Sequence, residues 1–179
     1  MTLGDLIAAP TRLGELGEQD VLIAASGTGE ALVHESTRKR EATIVFMHET
    51  IQMMKADRAS ELAKLADLVS QTSAVVPLRK KPASFWDHIT IGRSSSSDIV
   101  IDDPAISAVH ANFVEAHGKQ GMTLLDVGSS NGTFLNRLPL QPHVPVSLSS
   151  GDCVRFGQTV FYYVSQASLR DLVAFRAGR

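Results

Sequence analysis

The sequence predicts a mainly β protein, a two-sheet sandwich with helical material at both ends. Three observations carry this reading. From residue 88 to 164 short apolar runs recur at close intervals, as the strands of an all-β sandwich do. The runs stop at Gly, Ser, Asn and Asp, as at Ser149-Ser150-Gly151-Asp152, residues that close tight turns because they tolerate positive φ or bond their own backbone. Outside that stretch the apolar positions step instead by three and four, the spacing of one helix face. At 179 residues the chain is long enough for one principal core and a smaller appendage.

Taken in order, Thr2 can cap a short helix over residues 2–9, with Leu3, Leu6 and Ile7 apolar ahead of Pro10. Val21-Leu22-Ile23 and Ala31-Leu32-Val33 flank Ser26-Gly27-Thr28-Gly29 like a hairpin, and Thr43-Ile44-Val45-Phe46 reads as a third strand. Ile44, Met47, Ile51, Met54, Leu62, Leu65 and Val69 also fit one helix face. A helix over 58–71 is therefore expected, with extension back to 44 as the alternative to that third strand. Residues 74–78 are strand-like, and Pro77 places them at a sheet edge. A polar turn over 79–87 carries Phe85 and Trp86. Strands follow over 88–92, 98–101, 110–115, 122–126, 133–135, 144–148, 153–156 and 159–164, with turns at 118–121 and 149–152. Residues 167–177, apolar at Leu169, Leu172, Val173 and Phe175, read as a helix. The chain thus divides into a partly helical N-terminal extension (1–73), a sandwich domain (74–165) and a C-terminal helix (166–179).

Charge is balanced, 17 basic against 19 acidic residues, and neither half is a polyelectrolyte. A single cysteine, Cys153, excludes an intrachain disulfide framework and a Cys-based zinc site, which suits a reducing compartment. The first residues lack a basic and then apolar leader, and no run of about 18 apolar residues occurs. The expectation is a soluble, cytoplasmic protein with no membrane role.

Three loops stand out. Ile91-Gly92-Arg93-Ser94, Ile106-Ser107-Ala108-Val109-His110-Ala111 and Asp126-Val127-Gly128-Ser129-Ser130-Asn131-Gly132-Thr133 each end or interrupt a strand with hydroxyls, amides and backbone N–H groups, and one carries an arginine. Such a set suits an anion, because a phosphate calls for charge-assisted donors and closely approaching backbone. With Asn136, Gly151-Asp152 and Phe156-Gly157 arriving in the same order and spacing, the stretch from about 74 to 165 resembles the forkhead-associated (FHA) domain, a phosphothreonine-binding β-sandwich of the FHA/SMAD-like class.

The resemblance implies roles residue by residue. Arg93 is the principal phosphate ligand, since a guanidinium makes two parallel hydrogen bonds that a flexible Lys makes less well. Ser107 donates its hydroxyl to the phosphate, Ser130 shapes the pocket for phosphate and threonine methyl, and Asn131 bonds the ligand backbone. Gly92, His110 and Gly132 are structural support, His110 as a buried scaffold residue bonded to backbone. Asn136 is a turn former. Two departures stand against the family pattern. Ala108 occupies a position that is often Arg, Lys or Asn and adds a second phosphate contact, and Arg137 stands where Gly is frequent. Ser94 to Ser97 could supply compensating donors.

Other functions fit less well. Ser107, His110 and Asp126 are the residue types of a hydrolase triad, but no Gly-x-Ser-x-Gly elbow is present and a Ser three before a His on a strand faces the other way. Gly27-Thr28-Gly29-Glu30 lacks the Gly-Lys-Ser/Thr of a nucleotide loop. Cys153 reads as an inert core residue, and the six histidines show no ligand spacing, so neither metal nor cofactor is expected. Arg38-Lys39-Arg40 and Arg79-Lys80-Lys81 are short basic clusters without an aromatic-studded basic face, which argues against nucleic acid. The reading is a non-enzymatic phosphothreonine-dependent binding module. Its partner is a Thr-phosphorylated protein or peptide, with a Ser/Thr kinase among the candidates. The alternative is the same fold used for interaction or oligomerisation with the phosphate pocket weak or unused. Thr43, with Arg40 three before it and Arg38 five before, matches what basophilic kinases favour and makes self-association through the N-terminal extension a further expectation.

Overall fold

The computed structural model describes residues 1–25, 58–82, 84, 86–115 and 121–178. The expected hairpin arm at Ala31-Leu32-Val33, the run Thr43-Ile44-Val45-Phe46 with its helical alternative, Phe85 and most of the turn at 118–121 lie outside the described residues. In chain order the elements are α1 (Leu3–Ala8), a 3₁₀ helix (Pro10–Leu16), β1 (Val21–Ala24), α2 (Arg58–Leu68), β2 (Val75–Pro77), β3 (Ile89–Gly92) and β4 (Ile99–Val100). There follow β5 (Ala111–Glu115), β6 (Met122–Asp126), β7 (Thr133–Leu135), β8 (Leu138–Pro139), β9 (Val146–Ser147), β10 (Cys153–Phe156), β11 (Thr159–Val164) and α3 (Gln166–Ala177).

These strands form two sheets, ordered β4-β3-β5-β6-β9 and β2-β1-β11-β10-β7-β8. Alternation along β6 and β10 sends Leu124, Val154 and Phe156 inward and leaves Thr123 and Arg155 half-buried on the other faces. Ile91, Phe113, Leu124, Val154, Phe156, Phe161 and Tyr163 fill the space between the sheets. Each large side chain buried there stabilises the fold by about 1.5–3 kcal/mol. Phe113 meets Phe156 edge-on with ring centroids 6.2 Å apart.

Val21-Leu22-Ile23 is apolar without alternation because β1 is buried on both faces. Leu22 points into the sandwich. Val21 and Ile23 point into a second core with Leu3, Leu6, Leu65, Leu169, Leu172 and Val173 from the three α-helices and Val69 just after α2. Part of the N-terminal extension is thus built into the six-stranded sheet, with β1 pairing antiparallel to β11 and to β2, and β2, carrying Pro77, forms the edge. The helix ends are tied down. Thr2 and Asp5 form a reciprocal capping box on α1, Asp20 accepts the Gln166 N–H at the start of α3 at 3.0 Å, and Arg176 donates to the Ala66 and Val69 carbonyls at the end of α2. The sequence reading does not include the 3₁₀ helix or the two-residue strand β8.

β7 and β8 are joined by a two-residue turn in which Asn136 and Arg137 both adopt positive φ, 49° and 73°. Asn136 also bonds Asp152 and the Cys153 N–H, each at 2.9 Å, so the expected turn former additionally holds the β10 end. Among the described residues Arg137 has no such compensation, and its side chain is exposed. A non-Gly residue in this region costs about 1–2 kcal/mol, part of which Gly gives back as chain entropy. We therefore expect Arg137→Gly to raise the unfolding free energy by about 0.5–1 kcal/mol in urea titration.

Candidate functional site

The site lies where three strand ends meet. β3 ends at Gly92, and a Cβ there would lie 2.2 Å from the Ala108 carbonyl oxygen, so only glycine lets the loops on either side close. Three backbone bonds follow from that approach. Arg93 N–H donates to the Ser107 carbonyl at 2.9 Å, Ser94 N–H to the Ala108 carbonyl at 3.0 Å, and His110 N–H to the Ile91 carbonyl at 2.8 Å. Arg93 Nε donates to the Ile106 carbonyl at 3.2 Å, which fixes the guanidinium plane. Among the described residues its Nη groups have no hydrogen-bond partner, and no carboxylate lies within 4 Å.

Behind this rim His110 is fully buried. Its Nδ1 accepts the Ser107 N–H at 3.1 Å; Nε2 therefore carries the proton and donates to the Gly132 carbonyl at 3.2 Å. Phe156 packs edge-on to the ring, centroids 5.6 Å apart. Burial lowers the His110 pKa from its ordinary value near 6.5, against the opposing pull of the Gly132 carbonyl and Asp126. With Nδ1 accepting and Nε2 donating, the ring is neutral and bonded at both nitrogens. Gly132 itself sits at φ +75°, where a side chain would be strained.

The third loop is organised by Asp126. Its Oδ1 accepts the Gly128 and Ser129 N–H groups at 2.8 and 2.9 Å, and its Oδ2 accepts the Ser129 and Thr133 hydroxyls at 2.6 and 2.5 Å. Burial works to raise its pKa, but these donors outweigh it and the carboxyl lies below the usual range. Neither oxygen bonds His110, and Ser107 meets His110 through its N–H rather than its hydroxyl, so the three residues are not wired as a triad.

This curl presents Ser130 and Asn131. Ser130 N–H donates to Ser107 Oγ at 3.0 Å. Asn131 Nδ2 donates to the Ala105 carbonyl at 2.7 Å. Arg93, Ser107, Ser130 and Asn131 line one depression of about 210 Å³, with Pro104, Ala105, Ile106 and Ala108. Ser107 Oγ accepts the Ser130 N–H and donates its own hydrogen to Ser130 Oγ at 3.5 Å, a long bond that a stronger acceptor can replace. Ala108 is exposed and adds only a methyl group. The serine run adds less than its composition suggests, because Ser94 and Ser96 hydroxyls bond each other at 2.8 Å and Ser97 is buried against the Ala108 carbonyl.

Sequence reasoning did not single out Asp98 and Thr90, which hold the Arg93 loop from behind. Asp98 Oδ2 accepts the Thr90 N–H and hydroxyl, both at 2.8 Å, and Thr90 Oγ1 accepts the Asp98 N–H at 2.8 Å. A Thr and an Asp eight apart carry no periodic signal. Cys153 is half-buried with its thiol pKa pushed up by burial, which makes it a poor nucleophile. Among the described residues no cluster of His, Cys, Asp and Glu could hold a metal, and no helix is long and apolar enough to cross a membrane.

A proton on Nδ1 of His110 would remove the Ser107 bond, so the folded chain resists a proton that the unfolded chain takes up below about pH 6.5. This stability is present above that pH and declines as pH falls through the lowered folded value. We expect His110→Ala to cost about 1–3 kcal/mol at pH 8. In pH-dependent urea titration the gap between wild type and variant should narrow below pH 6.5.

Residues 89–157 match the FHA domain. The chain is 43% identical over 125 residues to the oxoglutarate dehydrogenase inhibitor of Corynebacterium jeikeium, covering 66% of this chain and 83% of that protein. It is 40% identical over 127 residues to the glycogen accumulation regulator GarA of Mycobacterium tuberculosis, covering 62% and 75%. A solved FHA domain of an Arabidopsis thaliana protein is similar at 32% identity over 52% of this chain and 73% of that one, with a TM-score of 0.42. With the domain match spanning every loop of the site, and a relative this similar over most of its own length, the chain belongs to the FHA domain family.

Proposed function

We propose that the phosphothreonine-dependent protein binding of this FHA module runs through the depression lined by Arg93, Ser107, Ser130 and Asn131. The observation that carries it is the Arg93 guanidinium, held by one bond at Nε with its Nη groups uncommitted among the described residues, on the same depression as a reorientable Ser107 hydroxyl. A phosphothreonine brings a charge of about −1.5 to −2 and three acceptor oxygens. Two of those oxygens take the parallel Nη donors of Arg93 and the third takes the Ser107 hydroxyl. Asn131 exchanges its Ala105 partner for the ligand backbone, and Ser130 fills the wall between. Ala108 gives no second donor, so affinity comes mainly from Arg93.

Two relatives are named as an inhibitor and a regulator, which supports extending a regulatory, non-catalytic role to this chain. Its partner on this reading is a threonine-phosphorylated protein, either the target or the Ser/Thr kinase that marks it. Thr43, outside the described residues, extends the reading to self-association. Phosphorylated by a basophilic kinase, it would occupy the Arg93 pocket of its own or a second copy, with tethering at about millimolar effective concentration offsetting a weak pocket.

Arg93→Ala should remove a bidentate charged contact worth about 2–5 kcal/mol without lowering the melting temperature. Calorimetry with a phosphothreonine peptide and its unphosphorylated control measures this, and equal binding by wild type and Arg93→Ala would overturn the site assignment. For self-association, kinase-treated wild type should change mass or compactness in solution, and Thr43→Ala and Arg93→Ala should not. Absence of modification at Thr43 would end that extension.

A further inference from the structure

We propose that Ser84 is a phosphorylation site for a basophilic Ser/Thr kinase, and that its phosphate releases the segment carrying Arg79, Lys80 and Lys81 from Asp98. Two stretches of the chain share one pattern. Arg38-Lys39-Arg40-Glu41-Ala42-Thr43-Ile44 and Arg79-Lys80-Lys81-Pro82-Ala83-Ser84-Phe85 each put three cations five, four and three residues before a hydroxyl, Ala directly before it and an apolar residue directly after. Thr43 lies in the first. The second gives a use to a basic cluster that the phosphate depression leaves unexplained, and it needs no ligand at Arg93.

The second stretch is open to a kinase. Arg79, Lys80 and Lys81 are exposed, Ser84 is half-buried, and none of the four lies in a helix or strand. Among the described residues no carboxylate lies within 4 Å of the three cations. The side-chain bonds that the two lysines make are to carbonyls, Lys80 Nζ to Trp86 at 3.2 Å and Lys81 Nζ to Ser95 at 2.7 Å. Cations without carboxylate partners, spaced upstream of an acceptor, suit the acidic cleft of a basophilic kinase, since matched charge patterns select its substrates. The acceptor itself is lightly held. Ser84 Oγ donates to Asp98 Oδ2 at 3.5 Å, the outer limit of a hydrogen bond, and its N–H closes a turn onto the Lys81 carbonyl at 3.0 Å.

A phosphate on Ser84 meets an immediate opponent. Asp98 Oδ1 accepts the Lys81 N–H, and Oδ2 accepts the Thr90 N–H and hydroxyl, all at 2.8 Å. Burial works to raise the Asp98 pKa, but these donors outweigh it and the group is a carboxylate. The kinase moves the γ-phosphoryl of ATP onto Ser84 Oγ. The Oγ–P bond forms, the bond to the β-phosphate breaks, ADP leaves, and the hydroxyl proton goes to the kinase's base. The donor to Asp98 is thereby lost, and a charge of about −1.5 to −2 stands in its place. Like charges at such close range repel. Residues 81 to 84 are one turn, so Ser84 leaves Asp98 with Lys81, whose N–H bond to Oδ1 breaks. Thr90, in β3, keeps both of its bonds to Asp98.

The full chain, as wild type, Thr43→Ala, Ser84→Ala and the double variant Arg79→Ala/Lys81→Ala, is treated with ATP and a kinase that selects cations three and five residues before its acceptor. Sites are mapped by mass spectrometry. Ser84 should be modified in wild type and in Thr43→Ala, and its rate should fall about tenfold or more in the double variant. In modified Thr43→Ala, solvent exchange of the Lys81 amide, followed by NMR, should rise about tenfold, the size of one lost hydrogen bond, while the Thr90 amide stays protected. Unmodified Ser84→Ala should keep the Lys81 amide slow, because it removes the long bond without adding charge. Ser84 left unmodified in wild type, an undiminished rate in the double variant, or modified Ser84 with the Lys81 amide still protected overturns the proposal. Fast Lys81 exchange in unmodified Ser84→Ala also overturns it, since Ser84 would then be a structural anchor. Failure in any of these arms leaves the phosphothreonine reading of Arg93 standing, because no arm uses a phosphothreonine ligand.

Discussion

The loops bearing Ser107 and Gly132 meet on a buried, neutral imidazole. His110 takes a proton donor from one loop, Ser107 N–H, and gives its own proton to another, Gly132 C=O. The same Gly132 carbonyl receives Gly157 N–H at 3.1 Å, which ties in the β10–β11 turn. Burying an uncharged ring with both nitrogens bonded costs far less than burying a charge. Asp126, the charged group beneath the third loop, is saturated by four donors from its own segment and has little field left to offer. Neutral or saturated groups thus lie below the depression, and Arg93 lies on its rim.

The sandwich strands were legible because each is half-buried and so alternates, as β6 and β10 do. The extension was harder to read for a physical reason. Val21-Leu22-Ile23 has an apolar layer on each face, and a two-sided strand has no alternation to betray which side is which. The site was legible where chemistry restricts identity. Gly92 is required by a 2.2 Å approach, and His110 by a donor and an acceptor on one ring. It was illegible where a bond joins distant positions through common residue types, as in Thr90 with Asp98, Asn131 with Ala105, or Lys81 with Ser95. The triad composition of Ser107, His110 and Asp126 shows the converse. Residue types alone suggested a catalytic relay, and the direction of each hydrogen bond removes it.

The strand β11 joins the two cores and reaches the site. Phe161 and Tyr163 face the sandwich, while Tyr162 and Val164 face the helices. Tyr163 OH donates to Asp20, the residue that accepts the Gln166 N–H at the start of α3. At the other end of the strand the Thr159 hydroxyl donates to Asp103 Oδ2 at 2.5 Å, and that bond holds the Asp103 carboxyl below its usual range. Asp103 Oδ1 in turn accepts the Ala105 N–H at 2.8 Å, and the Ala105 carbonyl holds Asn131. The loop bearing Ser107 is therefore anchored to a strand buried on both faces.

This anchoring bears on how much a ligand must organise. Arg93 is set by Nε, Ser107 by its N–H and by Ser130, and both loops by His110, so binding a phosphate requires little new ordering of the protein, the term that most often erodes affinity. Asn131 is the exception. Its amide already has a partner in Ala105, and ligand backbone must replace a bond of 2.7 Å rather than fill an empty site. A net hydrogen bond gains only about 1 kcal/mol when another is given up for it. On the proposed reading, Asn131 contributes more to the register of the ligand chain than to its affinity, and the strength of the complex rests on charge at the Arg93 side of the depression.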